Sequence, residues 1–248
     1  MLDLHCHILP GIDDGAKNSE ISLALLNEEM KQGVKAIAFT PHFHPNRVSL
    51  EEFLGRRERS FEKLMAIPGV SDMGIKFKLA AEIFFSNKLN ELELDELCYT
   101  DTNYLLIELP TDERPYGLMH TLTDIINRGY QPILAHVERY PYFTSDPTRL
   151  YDLLERGCIV QINSGAILDG QKIAIKYIKW GMAQIISSDC HNLKSRTPNL
   201  RDAYSYVRKK FGEEYVDWFE KNARDVFTGR YVDMPVPKKP KKVMGIWL

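Results

Sequence analysis

The chain opens on His5-Cys6-His7, an imidazole pair two residues apart inside the apolar run 2–7. Side chains alternate across a strand, so the two histidines share one face and Cys6 turns to the other. Further imidazoles and carboxylates sit at or just beyond the ends of later apolar runs: His42, Glu82, Glu108, His136, Asp189 and His191. Imidazole and carboxylate without thiolate suit Mn, Fe or Zn in a catalytic site better than a structural zinc site. The set exceeds what one ion can use, so two or three ions sharing a carboxylate is the natural reading. Such clusters bring bound water to hydroxide near neutral pH and clamp the attacking and leaving oxygens of a phosphoryl centre. His44 and His120 are read as ordinary packed or surface residues.

These positions, spread from residue 5 to residue 191, need a scaffold that gathers them. Strands are predicted at 2–7, 35–40, 77–83, 104–109, 132–136, 159–163 and 184–188. Helices are predicted at about 19–32, 50–66, 86–97, 117–128, 147–156, 170–180, 199–211 and 213–226. Ser49-Leu50-Glu51-Glu52 has capping-box spacing, and Asp146-Pro147 offers an N-cap followed by Pro at the first helical position. Gly33, Gly129, Gly157 and Gly181 fall near helix ends. Seven β-α alternations with short links imply a parallel sheet in an α/β fold, best closed or nearly closed as a barrel. In a barrel the C-terminal strand ends converge on one rim, and there the histidines and acids would meet.

Composition narrows the class. The 248 residues are 44% hydrophobic and 27% charged, as in an ordinary folded protein. Lys and Arg number 32 against 34 Asp and Glu, a net charge of -2, which disfavours a general nucleic-acid binder. No apolar run approaches the roughly 18 residues of a membrane span, and no signal peptide is evident. The four cysteines form no C-x-x-C pair, so neither a disulfide framework nor a cysteine zinc site is indicated, and a cytoplasmic location is expected. Nucleotide-binding glycine loops are absent from the sequence.

The segment Asp3-Leu4-His5-Cys6-His7-Ile8-Leu9-Pro10-Gly11-Ile12-Asp13-Asp14-Gly15-Ala16 resembles the PHP (polymerase and histidinol phosphatase) superfamily of metal-dependent phosphoesterases. It looks specifically like the manganese-dependent protein-tyrosine phosphatase branch of the CpsB/YwqE type. Thr40-Pro41-His42, Ala81-Glu82, Ile107-Glu108, His136-Val137-Glu138-Arg139-Tyr140 and Ser188-Asp189-Cys190-His191-Asn192 match in order, so the likeness covers about residues 1–230. The resemblance implies a distorted seven-stranded, TIM-like β/α barrel over 1–233 that holds three metal ions. His5, His7, Glu82 and Asp189 would hold the first, and Asp14, His42 and His191 the second, with Asp13 a rival for Asp14. Glu108 and His136 would hold the third, with Glu82 bridging. Arg139 and Arg196 match phosphate-binding arginines of this branch. The implied cofactor is manganese, with iron or zinc as alternatives. The implied substrate is a phosphotyrosine-bearing protein, in this branch a bacterial tyrosine kinase governing capsule and exopolysaccharide synthesis.

The expected chemistry is direct attack of a metal-bridging hydroxide on phosphorus, with the two guanidinium groups neutralising charge on the equatorial oxygens. A tyrosyl leaving group with a pKa of about 10 needs little acid assistance, which Asp14 or a bound water could give. Three rivals stand beside this. Cys190 to Arg196 fits the C-x5-R spacing of cysteine-dependent phosphatases, yet the loop lacks the glycines such a phosphate cradle normally needs. A small-molecule phosphatase of the histidinol-phosphate kind would use the same metals, and a non-catalytic regulatory PHP module would keep only the fold. Segments 110–118, with Arg114 and Tyr116, and 140–143 are expected beside the pocket as rim packing or ring contacts. The tail 234–248 carries Lys238, Lys239, Lys241 and Lys242. Its end, Ile246-Trp247-Leu248, is expected to dock on the body ahead of any membrane contact, without stable insertion.

Overall fold

Parallel pairing builds the scaffold. A computed structural model of the chain describes residues 1–234 and 236–247. Strand β1 (Leu2–Cys6) pairs with β2 (Ala36–Phe39), which pairs with β4 (Lys76–Leu79), in a three-stranded sheet. A six-stranded sheet follows in the order β3 (His42–Phe43), β5 (Glu82–Phe84), β6 (Tyr104–Glu108), β7 (Gln131–Leu134), β8 (Ile159–Asn163) and β9 (Ile185–Ser187). Every pairing in both is parallel.

Among the described residues the strands do not form one closed ladder of seven. The single strands expected at 35–40 and 77–83 are each interrupted. Pro41 has no N–H to give a ladder, so β2 stops at Phe39 and β3 restarts at His42. Ala80 and Ala81 mark the matching break between β4 and β5. The chains stay alongside each other through Ala80 N to Phe39 O at 2.9 Å and Glu82 N to Pro41 O at 3.1 Å. Between β9 and β1 the contact is an isolated parallel bridge, Cys6 with Cys190. There His7 N donates to Cys190 O at 2.9 Å and Asp189 N to His5 O at 2.8 Å.

Most expected helices form. In α1 (Ser19–Gln32) the Asn18 side chain accepts from Ile21 N, and Gly33 ends the helix at φ 85°. In α2 (Leu50–Met65) Ser49 caps Glu52 N, as its spacing predicts. Then come α3 (Leu118–Asn127), α4 (Pro141–Thr144), α5 (Thr148–Leu154), α6 (Ser164–Leu168), α7 (Lys172–Lys179), α8 (Leu200–Phe211) and α9 (Glu213–Phe227). The helix expected over 86–97 is instead two 3-10 turns, Asn87–Asn90 and Asp95–Leu97. The Arg128 guanidinium donates to the carbonyls of Leu89, Asn90 and Leu92, taking acceptors that a continuous helix would use.

Both sheet faces are covered, which is why the strands read as near-continuous apolar runs. Leu4, Ala38, Leu106, Ile133 and Ile185 pack with Ala223, Val226 and Phe227 of α9, while a larger cluster fills the space under the other helices. No described helix is long and apolar enough to cross a membrane. The tail ends in a hairpin of β10 (Lys242–Val243) and β11 (Ile246–Trp247). Trp247 docks by donating its indole N–H to Ser145 O at 2.9 Å; Leu248, expected to dock with it, lies outside the described residues, as does Pro235.

Candidate metal centre

The strand ends bring the expected residues together. His5 Nε2 and His7 Nε2 lie 3.2 Å apart. Glu82 stands among four imidazoles: 3.2 Å from His5 Nε2, 3.2 Å from His7 Nε2, 2.9 Å from His42 Nδ1 and 2.8 Å from His136 Nε2. Asp189 Oδ1 lies 3.3 Å from His5 Nε2 and 3.5 Å from His7 Nε2. Glu108 reaches His42 at 3.6 Å and His136 at 3.7 Å. Asp14 Oδ1 is 3.3 Å from both His42 Nε2 and His191 Nε2.

The Asp pair divides its work. Asp14, with a side chain 63% exposed, joins the imidazoles, whereas Asp13 Oδ2 accepts from His7 Nδ1 at 2.7 Å behind them. Gly15 makes room for this loop: a Cβ there would come within 2.1 Å of the His7 carbonyl oxygen. His42 faces Glu82 and Glu108 as well as Asp14 and His191. His136 lies beyond β7 and not at its last residue, Asp189 follows β9 as expected, and their φ values are 33° and 53°. Left-handed backbone is costly for such residues and clusters where function holds it.

The donor atoms have the pattern of a cation cage. Asp189 Oδ1 and His191 Nε2 are buried with no hydrogen-bond partner among the described residues. Leaving such groups unmet costs a folded chain about 1–3 kcal/mol each. The outer ring nitrogens are occupied: His5 Nδ1 donates to Gln161 Oε1 at 3.2 Å, His7 Nδ1 to Asp13, and His191 Nδ1 to the Asp189 carbonyl at 3.0 Å. The Tyr140 hydroxyl lies 3.2 Å from His136 Nδ1 and accepts from Leu109 N. A partner at Nδ1 leaves Nε2 with its lone pair inward, as metal-binding histidines require. These residues fit divalent ions held by imidazole and carboxylate.

The electrostatics agree. Burial disfavours a charged His42, yet hydrogen bonds to Asp14 and Glu82 raise it to about 11. Burial likewise opposes a charged His7, but Asp13 and Glu82 raise it to about 10. Burial and the Glu82 charge push Glu108 up to about 7. Asp14 is held below the usual carboxylate range, chiefly by its hydrogen bond to His42.

Arg139 and Arg196 meet on one atom. Arg139 Nη2 is 3.0 Å and Arg196 Nη2 2.6 Å from Asp189 Oδ2, the oxygen turned away from the imidazoles. Both line a cavity of about 210 Å³ with Asn163, Ser188 and Asn199. A single carboxylate therefore joins the imidazole cage to a pair of cations at an open pocket.

Sequence reasoning missed the supporting layer on β8. Gln161 Oε1 accepts from His136 N as well as from His5, and its amide donates to Asn163 Oδ1; Asn163 donates to Asp189 Oδ2 at 2.8 Å. The i, i+2 spacing of two amides on one strand was the available signal. As expected of ordinary packed or surface residues, His44 stacks on Phe84 and His120 is exposed on α3, whereas Tyr116, expected beside the pocket, is solvent-exposed. Tyr142 and Phe143 are buried packing residues, and Tyr140 packs with them while its hydroxyl reaches His136. Cys190 is buried, its Sγ 3.6 Å from Glu29 Oε1, away from the arginine pocket.

Comparisons with known proteins give the chain a family. The family model for capsular polysaccharide synthesis, CpsB/CapC, matches residues 1–228. The tyrosine-protein phosphatase CpsB of Streptococcus pneumoniae is 32% identical over 252 residues, covering 94% of this chain and all of its own length. The tyrosine-protein phosphatase YwqE of Bacillus subtilis is 30% identical over 256 residues, covering both chains in full. A solved chain from the pair YwqE of Bacillus subtilis and CpsB of Streptococcus pneumoniae, metal-dependent tyrosine phosphatases, superposes with a TM-score of 0.87 at 26% identity. It covers 98% of this chain and 100% of that one.

Proposed function

Because the chain belongs to the CpsB/CapC family of capsular polysaccharide synthesis, we propose that it is a metal-dependent protein-tyrosine phosphatase acting on bacterial tyrosine kinases of capsule or exopolysaccharide assembly, in the cytoplasm. The observation that carries this reading is Asp189, with one oxygen toward the imidazoles and the other on Arg139 and Arg196. A phosphoryl group bound by those arginines would abut the cage. We also read the two parallel sheets as one distorted seven-stranded barrel, in which β2 with β3 and β4 with β5 are interrupted single strands. The bridge from Cys6 to Cys190 supports that reading.

We assign His5, His7, Asp14, His42, Glu82, Glu108, His136, Asp189 and His191 as ligands, with Glu82 shared, and favour three manganese ions over iron or zinc. Bound ions would supply Lewis acidity and an activated water near neutral pH. The chain's own part is orientation and charge. Arg139 and Arg196 exchange Asp189 Oδ2 for phosphate oxygens, and guanidinium geometry suits bidentate contact there. Asp14, at the open edge between His42 and His191, serves as a ligand and gives the leaving group at most modest acid assistance. A phenolate leaving group tolerates this, since its pKa is about 10.

The histidinol-phosphate type of small-molecule phosphatase is tested directly by turnover. Phosphotyrosyl peptide should be hydrolysed far faster than histidinol phosphate; the reverse order overturns the assignment.

Two further outcomes follow from the cage. Gln161→Leu removes the acceptor that orients His5 and His136 N, and should weaken manganese affinity by about 10–100-fold. Calorimetric titration of the metal-free protein checks this. Without ions, His7 and His42 hold protons at neutral pH, their values being raised to about 10 and about 11. Ligation needs neutral imidazole and ionised carboxylate, so loading near neutral pH should release at least two protons per chain, with His5 and Glu108 adding to the number. Calorimetry in buffers of different ionisation heat measures that number. The same raised values stabilise the metal-free fold fully below an unfolded imidazole pKa of about 6.5. That contribution fades as pH climbs through the folded values.

A further inference from the structure

The C-terminal hairpin presents a combination that the phosphatase reading does not use. Residues 234–248 contain four lysines and no acid, in a chain whose net charge is -2. The segment is fastened at its base. Lys238 N donates to Trp180 O at 2.7 Å, Lys176 Nζ to Trp247 O at 2.6 Å, and the Trp247 indole to Ser145 O. Its tip is not fastened. Met244 is 96% exposed, Ile246 60% and Val243 49%, and Val236 at the start of the tail is 86% exposed.

The turn itself is unusual for a solvated loop. Met244 and Gly245 both have positive φ, 48° and 81°, the geometry of a two-residue hairpin turn that favours Asn-Gly or Asp-Gly. A methionine there accepts left-handed backbone and places its whole side chain in water. Beside the tip runs a groove of about 320 Å³, lined by Trp180, Val243 and the lysines 179, 238, 239 and 241, with no carboxylate in its lining. Apolar floor and cationic rim together fit an amphiphile with an anionic head.

We propose that this hairpin and groove form a peripheral docking surface for an anionic phospholipid bilayer. Met244, Val243 and Ile246 enter the headgroup boundary, while the lysine ammonium groups stay at the phosphate level on their long alkyl stems. A polybasic run next to an apolar wedge is the two-signal arrangement that stable peripheral contact requires, since either signal alone binds only marginally. A soluble acidic peptide would use the lysines and gain nothing from an exposed methionine tip.

The test is co-sedimentation of the metal-loaded full chain with vesicles of phosphatidylcholine, with or without phosphatidylglycerol. Binding is expected only with phosphatidylglycerol, and should weaken as salt rises. The double variant Met244→Asp/Ile246→Asp should lose about tenfold in vesicle affinity, and replacement of all four tail lysines by Gln about a hundredfold or more. Hydrolysis of phosphotyrosyl peptide in solution should be unchanged in both, which shows that the variants are folded. Absence of binding to phosphatidylglycerol vesicles overturns the proposal. So does wild-type affinity in the tip variant, or equal affinity for soluble polyglutamate, which would mark a surface for acidic protein.

Discussion

Glu82→Gln is expected to lower kcat for phosphotyrosyl peptide by well over a hundredfold. The lower bound comes from the supporting shell: groups that merely orient metal ligands are worth about 10–100-fold in affinity or activity. Glu82 is more central than any of these. It is buried, and its two oxygens lie within 3.2 Å of His5, His7, His42 and His136. His5, His136 and His42 hold its carboxyl far below the usual range against the opposing effect of burial. The amide keeps the volume and removes the charge shared between ions, so the loss is one of metal binding and not of packing. Metal analysis of the purified variant should show fewer ions per chain, with a melting profile still cooperative. A variant with a full complement of metal and near-wild-type kcat would refute the bridging role.

Removing both arginines, as Arg139→Ala/Arg196→Ala, should cost about 10²–10³ in kcat/KM, the scale seen when donors to developing charge are deleted. Manganese affinity should hold or rise, because Asp189 Oδ2 is freed from two cations while Oδ1 keeps its place beside His5 and His7. That opposite movement separates phosphate binding from metal binding. Arg196→Lys should recover only part of the loss, since an ammonium cannot reproduce a two-point contact. Parallel loss of activity and metal in the double variant would mean that the arginines only hold Asp189 in place.

Much of this centre was legible in the chain. The His5-x-His7 spacing and the run of acids and histidines at strand ends depend only on alternation and on parallel strands pointing one way. The less legible parts depend on tertiary context. Asp13 and Asp14 are chemically identical neighbours, and only the fold of the loop over Gly15 sends one to His7 Nδ1 and the other to His42 and His191. Gln161 and Asn163 look like ordinary polar strand residues until His5, His136 and Asp189 are placed beside them. The split of 77–83 traces to a proline on the neighbouring strand, which periodicity within the segment itself cannot reveal. The lost helix at 86–97 likewise depends on Arg128, more than thirty residues away in sequence, claiming its carbonyls.

The most direct measurement strips the protein of metal and returns manganese stepwise while hydrolysis of phosphotyrosyl peptide and bound metal are followed together. A cation cage predicts no turnover without metal, recovery that tracks occupancy up to three ions per chain, and a Cys190→Ser variant that recovers like the wild type. Turnover that survives complete metal removal and vanishes in Cys190→Ser would contradict it and assign the chemistry to the thiolate.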